Sequence, residues 1–254
     1  MSSAELPTLS AADRARYEWQ MWNDGVGEVG QRKLKSASVL ISRCGGVGGS
    51  VALQLAAAGV GKLVIAHAGD IKASDLNRQL LMTDAGIGTS RAASIEKRLR
   101  EFNPRIAIEV VAENVSEDNA HDLVSRVDHV ISCAPLFPER FAMNDACVRA
   151  GKPMVDAAMF GFDIQLSVYD ASRGPCLRCV YPESPPDWKR QFPVFGAVSA
   201  TVGSMAATEI IKMICGVGKP LIGTLLSGDL RSMEFRKLNV RRNPKCRCAQ
   251  PEDK

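Results

Sequence analysis

The chain has 254 residues, of which 46% are hydrophobic and 24% charged, and its formal net charge is +4. This length and composition suit one large α/β domain, or a domain with an appendage, and allow a sizeable hydrophobic core. The mild charge forms no basic stripe, which argues against nucleic-acid binding. The N-terminal segment lacks an apolar signal core and no apolar run reaches about 18 residues, so a cytoplasmic protein without a membrane span is expected.

Helices and strands are predicted to alternate through the first part of the chain. Two helices come first, at 10–22 and 27–35. The segments that follow are predicted strands at 38–41, 62–66, 107–111, 129–132 and 153–157, and predicted helices at 50–58, 87–102, 117–125 and 139–150. Buried strands that alternate with helices in this way are typical of an α/β fold with a parallel, doubly wound, Rossmann-like sheet.

The pattern changes after Gly161. Strands are predicted at 164–169, 224–227 and 233–238, with an amphipathic helix at 203–215 and a Pro-rich loop before it. This change predicts that antiparallel strands extend the sheet. Trp188 and Phe192 in the loop are expected to form a flap over a pocket or a surface for a partner, because large apolar side chains are costly to expose alone.

Residues 43–48, Arg-Cys-Gly-Gly-Val-Gly, lie between a predicted strand and a predicted helix. This arrangement directs backbone N–H groups and a helix N-terminus at a phosphate. Arg43 stands where a dinucleotide-binding turn has its first glycine, and His67 stands at the end of the next strand, where a ribose-binding acid is expected. The candidate nucleotide-binding glycines are Gly45, Gly46 and Gly48. The alternative is a turn that only packs the helix onto the sheet.

Four cysteines are spaced as two hooks, Cys176-Leu-Arg-Cys179 and Cys246-Arg-Cys248. In a chain expected to be cytoplasmic, such a cluster binds metal more often than it forms disulfides. Two short hooks place four thiolates around one tetrahedral Zn²⁺, with the sulfurs about 3.8 Å apart. The spacing predicts a closed, structural zinc site that ties the end of the chain to its middle; the alternative is a set of buried thiols.

Several segments, in order along the chain, resemble one protein family. They are Arg16-Tyr17, Gly30-Gln31 with Leu34, the loop Gly45–Gly48, residues 57–61 (Ala-Ala-Gly-Val-Gly), residues 75–79 (Asp-Leu-Asn-Arg-Gln), Ile87-Gly88, Asn103-Pro104 and the two cysteine hooks. Through these motifs the sequence resembles the ThiF/MoeB/HesA proteins of the ubiquitin-activating-enzyme superfamily. The resemblance implies a homodimer on a mixed sheet that uses ATP to adenylate the C-terminal carboxylate of a small ubiquitin-like carrier.

The resemblance also implies three regions with different roles. Residues 1–35 form a helical arm for the dimer and the ATP site, residues 36–160 form the Rossmann-like core, and residues 161–254 carry the zinc clamp and the carrier or partner surface. Trp19 and Trp22 are predicted to share a helix face, because they are three residues apart. They are expected either in the core or at the dimer interface.

Several positions depart from the family pattern. The family's ribose-binding aspartate falls at His67, the asparagine of its N-L-x-R-Q motif at Asp75, its ATP-contacting lysine at Arg91, its Mg²⁺-binding aspartate at Pro135 and its second N-terminal arginine at Trp19, while Arg78 and Gln79 match. Adenylation depends on positioning and charge neutralisation, and a proline side chain has no atom that binds a metal. These substitutions predict weak or absent Mg·ATP chemistry.

The candidate nucleotide-site residues are therefore Arg43, Gly45, Gly46, Gly48, His67, Arg78, Gln79 and Arg91, with Arg78 and Arg91 as candidates for a catalytic contribution. The favoured hypothesis is a pseudoenzyme-like protein that binds the C-terminus of a ubiquitin-like carrier or peptide. The alternative is an active adenylyltransferase that uses Arg43, Arg91 and Asp70 as replacement groups. A third possibility, an NAD-dependent oxidoreductase, rests on the Gly loop alone.

Overall fold

The computed structural model describes residues 5–186 and 189–249. The strands are β1 Ser38–Ser42, β2 Lys62–Ala66, β3 Ala107–Val111, β4 His129–Ser132, β5 Met154–Phe160, β6 Asp163–Tyr169, β7 Thr224–Asp229 and β8 Glu234–Asn239. Within these residues they form one eight-stranded sheet in the order β3-β2-β1-β4-β5-β6-β7-β8. The first five strands pair in parallel and the last three add antiparallel pairings, as the sequence predicted.

The helices are α1 Ala11–Met21, α2 Gly27–Ser36, α3 Gly46–Ala58, α4 Arg91–Phe102, α5 Ala120–Ser125, α6 Phe137–Ala150, α7 Leu177–Val180 and α8 Gly196–Cys215. They cover both faces of the parallel half of the sheet. In β1, Val39 and Ile41 belong to a core cluster with α3, α4 and α8, whereas Leu40 belongs to a second cluster with α5 and α6. Successive strand residues point to opposite faces, so a strand buried on both sides is apolar at every position.

Several predicted helix starts were wrong. α3 begins at Gly46 rather than Ser50, and α8 at Gly196 rather than residue 203. These glycine-rich turns are helical because α3 and α8 approach closely: a Cβ at Gly203 would lie 2.6 Å from the carbonyl oxygen of Val47. Packing outweighs the low helix propensity of glycine.

Three other helices also begin at residues that the sequence did not predict. α4 begins at Arg91 rather than residue 87, because the side chain of Ser90 accepts a hydrogen bond from the Ala93 N–H and caps the helix there. α5 begins at Ala120 rather than 117, and α6 begins at Phe137 rather than 139. Capping and tertiary packing fix such boundaries, which periodicity locates only roughly.

In the described residues, α8 is the one helix long and apolar enough to cross a membrane by length and composition alone. Half of its most apolar stretch is buried. Val202, Ala206 and Ile210 are fully buried in the cluster that α8 shares with α3. The apolar character of α8 is therefore explained by its place in the core.

Trp19 and Trp22 lie at the end of α1 on the outside of the molecule. Their rings stack with centroids 5.9 Å apart, and the residues are 79% and 67% exposed. This exposure rules out the core as the place for this pair. The dimer interface stays a prediction.

Candidate functional site

A cavity of about 170 Å³ lies where parallel strands β1, β2 and β4 end. Each strand is followed by a residue of the cavity wall: Arg43 after β1, His67 after β2 and Cys133 after β4. In open α/β sheets, ligands bind outside the carboxyl ends of the strands, where the strand order reverses. The topology therefore places this cavity at the expected position for a ligand site.

The structure brings most of the predicted nucleotide-site residues together. Those that line the cavity are Arg43, Gly45, Gly46, His67, Arg78, Gln79 and Arg91. Gly48 packs inside the turn, where an added Cβ would lie 2.5 Å from the carbonyl oxygen of Arg43. This contact alone requires glycine at position 48.

The Gly loop ends in the N-terminus of α3 at the cavity. Gly45 is the N-cap and has no side chain to satisfy the N–H groups of the first turn. A helix N-terminus carries a partial positive charge and favours anions. The loop can therefore bind negative charge through its backbone.

Arg43 has a φ of +56°, a backbone conformation that favours glycine. Its amide donates to the carbonyl of Ala66 (2.9 Å) and its own carbonyl accepts from Gly45 (2.6 Å). Its guanidinium pairs with both carboxylate oxygens of Glu139, with Nε 2.7 Å from Oε2. These contacts hold the arginine at a position where the sequence analysis expected a glycine.

Asp75 and Arg91 form a second ion pair on the cavity wall. Arg91 donates through Nε and an Nη to Oδ2 of Asp75, at 3.1 and 2.6 Å, while Gln79 donates to Oδ1 at 2.8 Å. Burial alone would raise the pKa of Asp75, but these hydrogen bonds, that of the Lys72 amide and the nearby arginines lower it overall. Both oxygens of this carboxylate are thus engaged by protein groups.

Arg140 and Asp156 form a third pair that the sequence analysis did not anticipate. Arg140 donates to Oδ1 and Oδ2 of Asp156 at 3.1 and 2.5 Å, and both side chains are buried. The guanidinium also lies 4.5 Å from the ring centroid of Phe137 and 5.5 Å from that of Tyr181. One signal in the sequence was an aspartate inside the apolar strand β5, since a buried carboxylate needs a partner.

His67 and Gln79 line the cavity, and each has one buried polar atom without a partner in the described part of the chain. Among the described residues, Nδ1 of His67 and Oε1 of Gln79 have no hydrogen-bond partner. Burial, with the positive charges of Arg91 and Arg43, lowers the pKa of His67 to about 4. The imidazole is therefore neutral at pH 7.

Among the described residues, the lining of the cavity contains one carboxylate, Asp75, which is paired with Arg91. Pro135 lines the cavity at the position where the sequence analysis expected the Mg²⁺-binding aspartate. Asp70, considered from the sequence as a replacement, is exposed and lies outside the wall. The three carboxylates near the described part of the cavity are Asp75, Glu139 and Asp156, each paired with an arginine.

An apolar groove continues from the cavity. The two share Arg140, Ala158 and Met159, and the groove is walled further along by Phe137, Phe160 and Tyr181. Phe192, in the loop before α8, stacks on Phe160 with ring centroids 6.2 Å apart and also lines the cavity. Phe192 thus lies where a flap was expected, whereas Trp188 lies outside the described residues.

The two cysteine hooks meet at one point. Their four Sγ atoms lie within 4.8 Å of one another, with Cys176–Cys246 at 3.6 Å and Cys179–Cys248 at 3.4 Å. These separations approach the roughly 3.8 Å between thiolates around tetrahedral Zn²⁺. The four thiols can therefore hold one metal ion, as the sequence predicted.

Helix α6 positions the first hook. Asn144 accepts from the Leu177 amide at 2.8 Å, and Asp145 accepts from Nε and an Nη of Arg178 at 2.8 and 2.7 Å. Arg178 lies between the two cysteines of the hook, so its pair with Asp145 fixes the orientation of the hook.

Cys44 and Cys133, unlike the hook cysteines, are buried in the core, and burial raises the pKa of both thiols far above the usual range. Neither has the character of a nucleophile.

The fold and the cavity define a class: a Rossmann-like α/β protein whose Gly loop faces an arginine-rich cavity, extended by antiparallel strands and a cysteine cluster. The family model described as ThiF family matches residues 17–248. This match covers most of the chain, and the chain therefore belongs to the ThiF family.

Named relatives agree with this assignment. The heterocyst protein HesA of Trichormus variabilis is 43% identical over 238 residues, which cover 94% of this chain and 89% of HesA. The sulfur carrier protein adenylyltransferase of Thermus thermophilus is 39% identical over 240 residues, covering 91% and 89%. Solved structures agree on the fold: E. coli MccB with MccA-N7isoASN has a TM-score of 0.83 at 23% identity, covering 96% of this chain and 76% of that one.

Proposed function

We propose that this chain binds the C-terminal end of a ubiquitin-like carrier or peptide, and that its Mg·ATP-dependent adenylation is lost or strongly reduced. The relatives support the first part. One is named a sulfur carrier protein adenylyltransferase, and MccB was solved with MccA. We place the protein in the cytoplasm, where the four clustered thiols stay reduced and bind a structural zinc ion.

The observation that carries the second part is the state of the carboxylates around the cavity. Asp75, Glu139 and Asp156 each have both oxygens engaged by arginine or glutamine donors. Mg²⁺ needs oxygen ligands, usually one or two carboxylates with substrate phosphates and water. A metal bound here would share a carboxylate with an arginine, so that one negative charge would face two cations at close range.

The expected consequence is a large loss of rate. In adenylation the protein contributes positioning and charge neutralisation, and loss of one electrostatic group commonly costs a factor of about 10²–10³. Pro135 removes the metal ligand and Trp19 replaces the second arginine of the N-terminal arm. Losses within one functional unit do not simply multiply, but either one is enough to slow turnover greatly.

The groove supplies a place for the carrier or peptide. A chain end that enters between Phe160 and Tyr181 reaches the cavity at Arg140, where the surroundings are cationic. The stacked and exposed Trp19 and Trp22 support a homodimer, because a large apolar surface of this kind favours an interface.

The test has two parts. Peptides that end in a free glycine carboxylate are expected to bind in fluorescence anisotropy, whereas the same peptides with an amidated end bind much more weakly. Pyrophosphate release with Mg·ATP and the peptide is expected to stay at background. Equal binding of the amidated peptide contradicts carboxylate recognition.

A matched pair of variants locates the groove. Phe160 and Phe235 are both 46% exposed, but only Phe160 lines the groove. Phe160→Ala is expected to weaken peptide binding about tenfold, or about 1.4 kcal/mol, and Phe235→Ala to leave it unchanged. Equal effects of the two substitutions would place the peptide elsewhere.

The second candidate function is active adenylation of a carrier carboxylate. It is favoured by the 39% identity to the Thermus thermophilus adenylyltransferase over nearly the whole chain. Pyrophosphate release that depends on both ATP and the peptide would establish this candidate and refute the loss of chemistry.

A further inference from the structure

The apolar groove beside the cavity has its floor on strands β5 and β6. Ala158 of β5 and Gln165 of β6 are partners in the antiparallel register, and both line the groove. Alternate residues of a strand share a face, so Ala158 lies between Asp156 and Phe160 on the face of β5 that meets Arg140. Ala158 has the smallest side chain in the described lining, and it leaves space above the floor.

This space has the size and polarity for one large apolar side chain. The groove has a volume of about 160 Å³. Besides Ala158, its apolar lining in the described residues consists of Phe137, Met159, Phe160, Ile164, Tyr181 and Pro185. An apolar cavity of about 150 Å³ is large enough to bind benzene. A run of glycines has no side chain to fill such a space, whereas an aromatic ring or a branched aliphatic side chain fills it.

Gln165 gives the groove a polar group for a peptide main chain. The Tyr181 hydroxyl donates to Oε1 of Gln165 at 2.7 Å and orients the amide. Nε2 then keeps two N–H groups, which accept no bond and have no acceptor among the described residues. An extended peptide presents main-chain carbonyls that accept such bonds, and a hydrocarbon chain does not. The groove therefore matches a peptide better than it matches a lipid tail.

Arg140 connects the groove to the cavity. Its Nε and one Nη bind Asp156, while the other Nη has two N–H groups without an acceptor in the described part of the chain. A carboxylate at this end of the groove therefore meets a cationic donor. The cavity and the groove share Arg140, Ala158 and Met159, and an extended peptide advances about 3.3 Å per residue. The one or two residues before the terminal one therefore lie over Ala158.

We propose that Ala158 makes the groove a specificity pocket, and that the chain prefers peptides with a large apolar side chain at one of the two positions before the terminal glycine. That side chain packs over Ala158 beside the rings of Phe160 and Tyr181. The peptide main chain accepts from Gln165, and the terminal carboxylate reaches Arg140. The inference rests on the proposed function, because it names the class of peptide that this function takes.

The alternation of side chains makes the preference specific to one position. Successive side chains of an extended peptide point to opposite sides. Only one of the two positions can therefore direct its side chain at Ala158, and the other directs it away from the floor. A general attraction between apolar groups has no such dependence on position.

The experiment is fluorescence anisotropy of the full-length protein with labelled peptides that have a free terminal carboxylate. One peptide ends in four glycines, and two others carry a single leucine at one or the other of the two positions before the terminal glycine. One leucine peptide is expected to bind at least about tenfold more tightly than the glycine peptide, because a leucine side chain is buried, and the other is not. No gain at either position, or equal gains at both, overturns the inference.

Variants of the floor locate the pocket. The ratio between the affinities of the favoured leucine peptide and the glycine peptide is expected to fall to about one in Ala158→Leu, because the added side chain fills the space. The ratio should be intermediate in Ala158→Val, which adds less volume. Ala107→Leu, at an exposed position of β3, is the matched control and should keep the wild-type ratio. An unchanged ratio in both Ala158 variants, or an equal loss in the control, refutes the role of Ala158.

The outcomes separate this inference from the proposed function. If the glycine peptide binds through its carboxylate and leucine brings no gain, only the specificity pocket is refuted. If the favoured leucine peptide binds equally well with an amidated end, the pocket stands and carboxylate recognition falls. If none of the peptides binds, both are refuted.

Discussion

The buried pair Arg140–Asp156 offers a sharp test of how this cavity is built. Asp156→Leu removes the carboxylate and keeps most of the volume. It leaves the Arg140 guanidinium, whose side chain is 4% exposed, without its two hydrogen bonds. The rings of Phe137 and Tyr181 remain, but they stabilise a cation far less than a carboxylate does.

The magnitude follows from this burial. Removing one partner of a buried ion pair costs about 3–5 kcal/mol, because the other charge stays desolvated. Each kcal/mol lowers the Tm of a chain of this size by about 2–4 °C, so a fall of about 6–20 °C is expected. Removing both charges in Arg140→Met/Asp156→Leu should recover most of this loss, since a buried pair and a well-packed apolar pair are often similar in stability.

The assay is urea unfolding followed by circular dichroism, with thermal melts alongside. The control is Glu96→Ala, which removes a surface pair with Arg100 that is 2.7 Å long and about half exposed. The control should cost only about 0.3–0.5 kcal/mol. If Asp156→Leu costs no more than the control, or if the double variant is less stable than the single one, the reasoning about the buried charge is refuted.

Three further predictions concern the metal, the pH dependence and one glycine. About one zinc per chain is expected by elemental analysis, and Cys246→Ser should lose it and melt earlier; a stable, metal-free wild-type protein would refute the clamp. The hydrogen bond from Lys35 holds the pKa of Asp13 at about 2, below its unfolded value of about 3.9, so the Tm difference between wild type and Asp13→Asn should be constant above about pH 5, shrink as the pH falls toward 2 and be lost below it. Gly61→Ala should destabilise strongly, because its Cβ would lie 1.9 Å from the Lys35 carbonyl oxygen, whereas Gly49→Ala, with only ordinary contacts, should be neutral or stabilising in urea melts.

Much of the fold was accessible from the sequence because its signals are local. Apolar runs such as Leu63–Ile65 are buried strands, and the change of pattern after Gly161 marks the start of the antiparallel pairings. The clustering of the four cysteines could also be predicted from the sequence, since spacings of two or three residues fix which sulfurs can share an ion. The starts of α3 and α8 could not be predicted, because the glycine-rich turns are helical there only through contact between the two helices.

The ion pairs around the cavity, in contrast, could not be predicted from the sequence. The sequence identified Arg43 and Arg91 as substitutions but not what they bind. Arg43 pairs with Glu139, which is 96 residues away in the chain, and nothing local links the two. Arg140 and Asp156 lie on α6 and β5, and only the crossover between them brings them together.

What the sequence determined by itself was the family, the alternation of the elements and the four cysteines that come together, because each depends on motifs or on spacing over a few residues. The tertiary structure alone decided that Asp75, Glu139 and Asp156 are each paired with an arginine. The physical reason is that ion pairs and burial depend on distances in space, which the chain sets only after the sheet and its helices have packed.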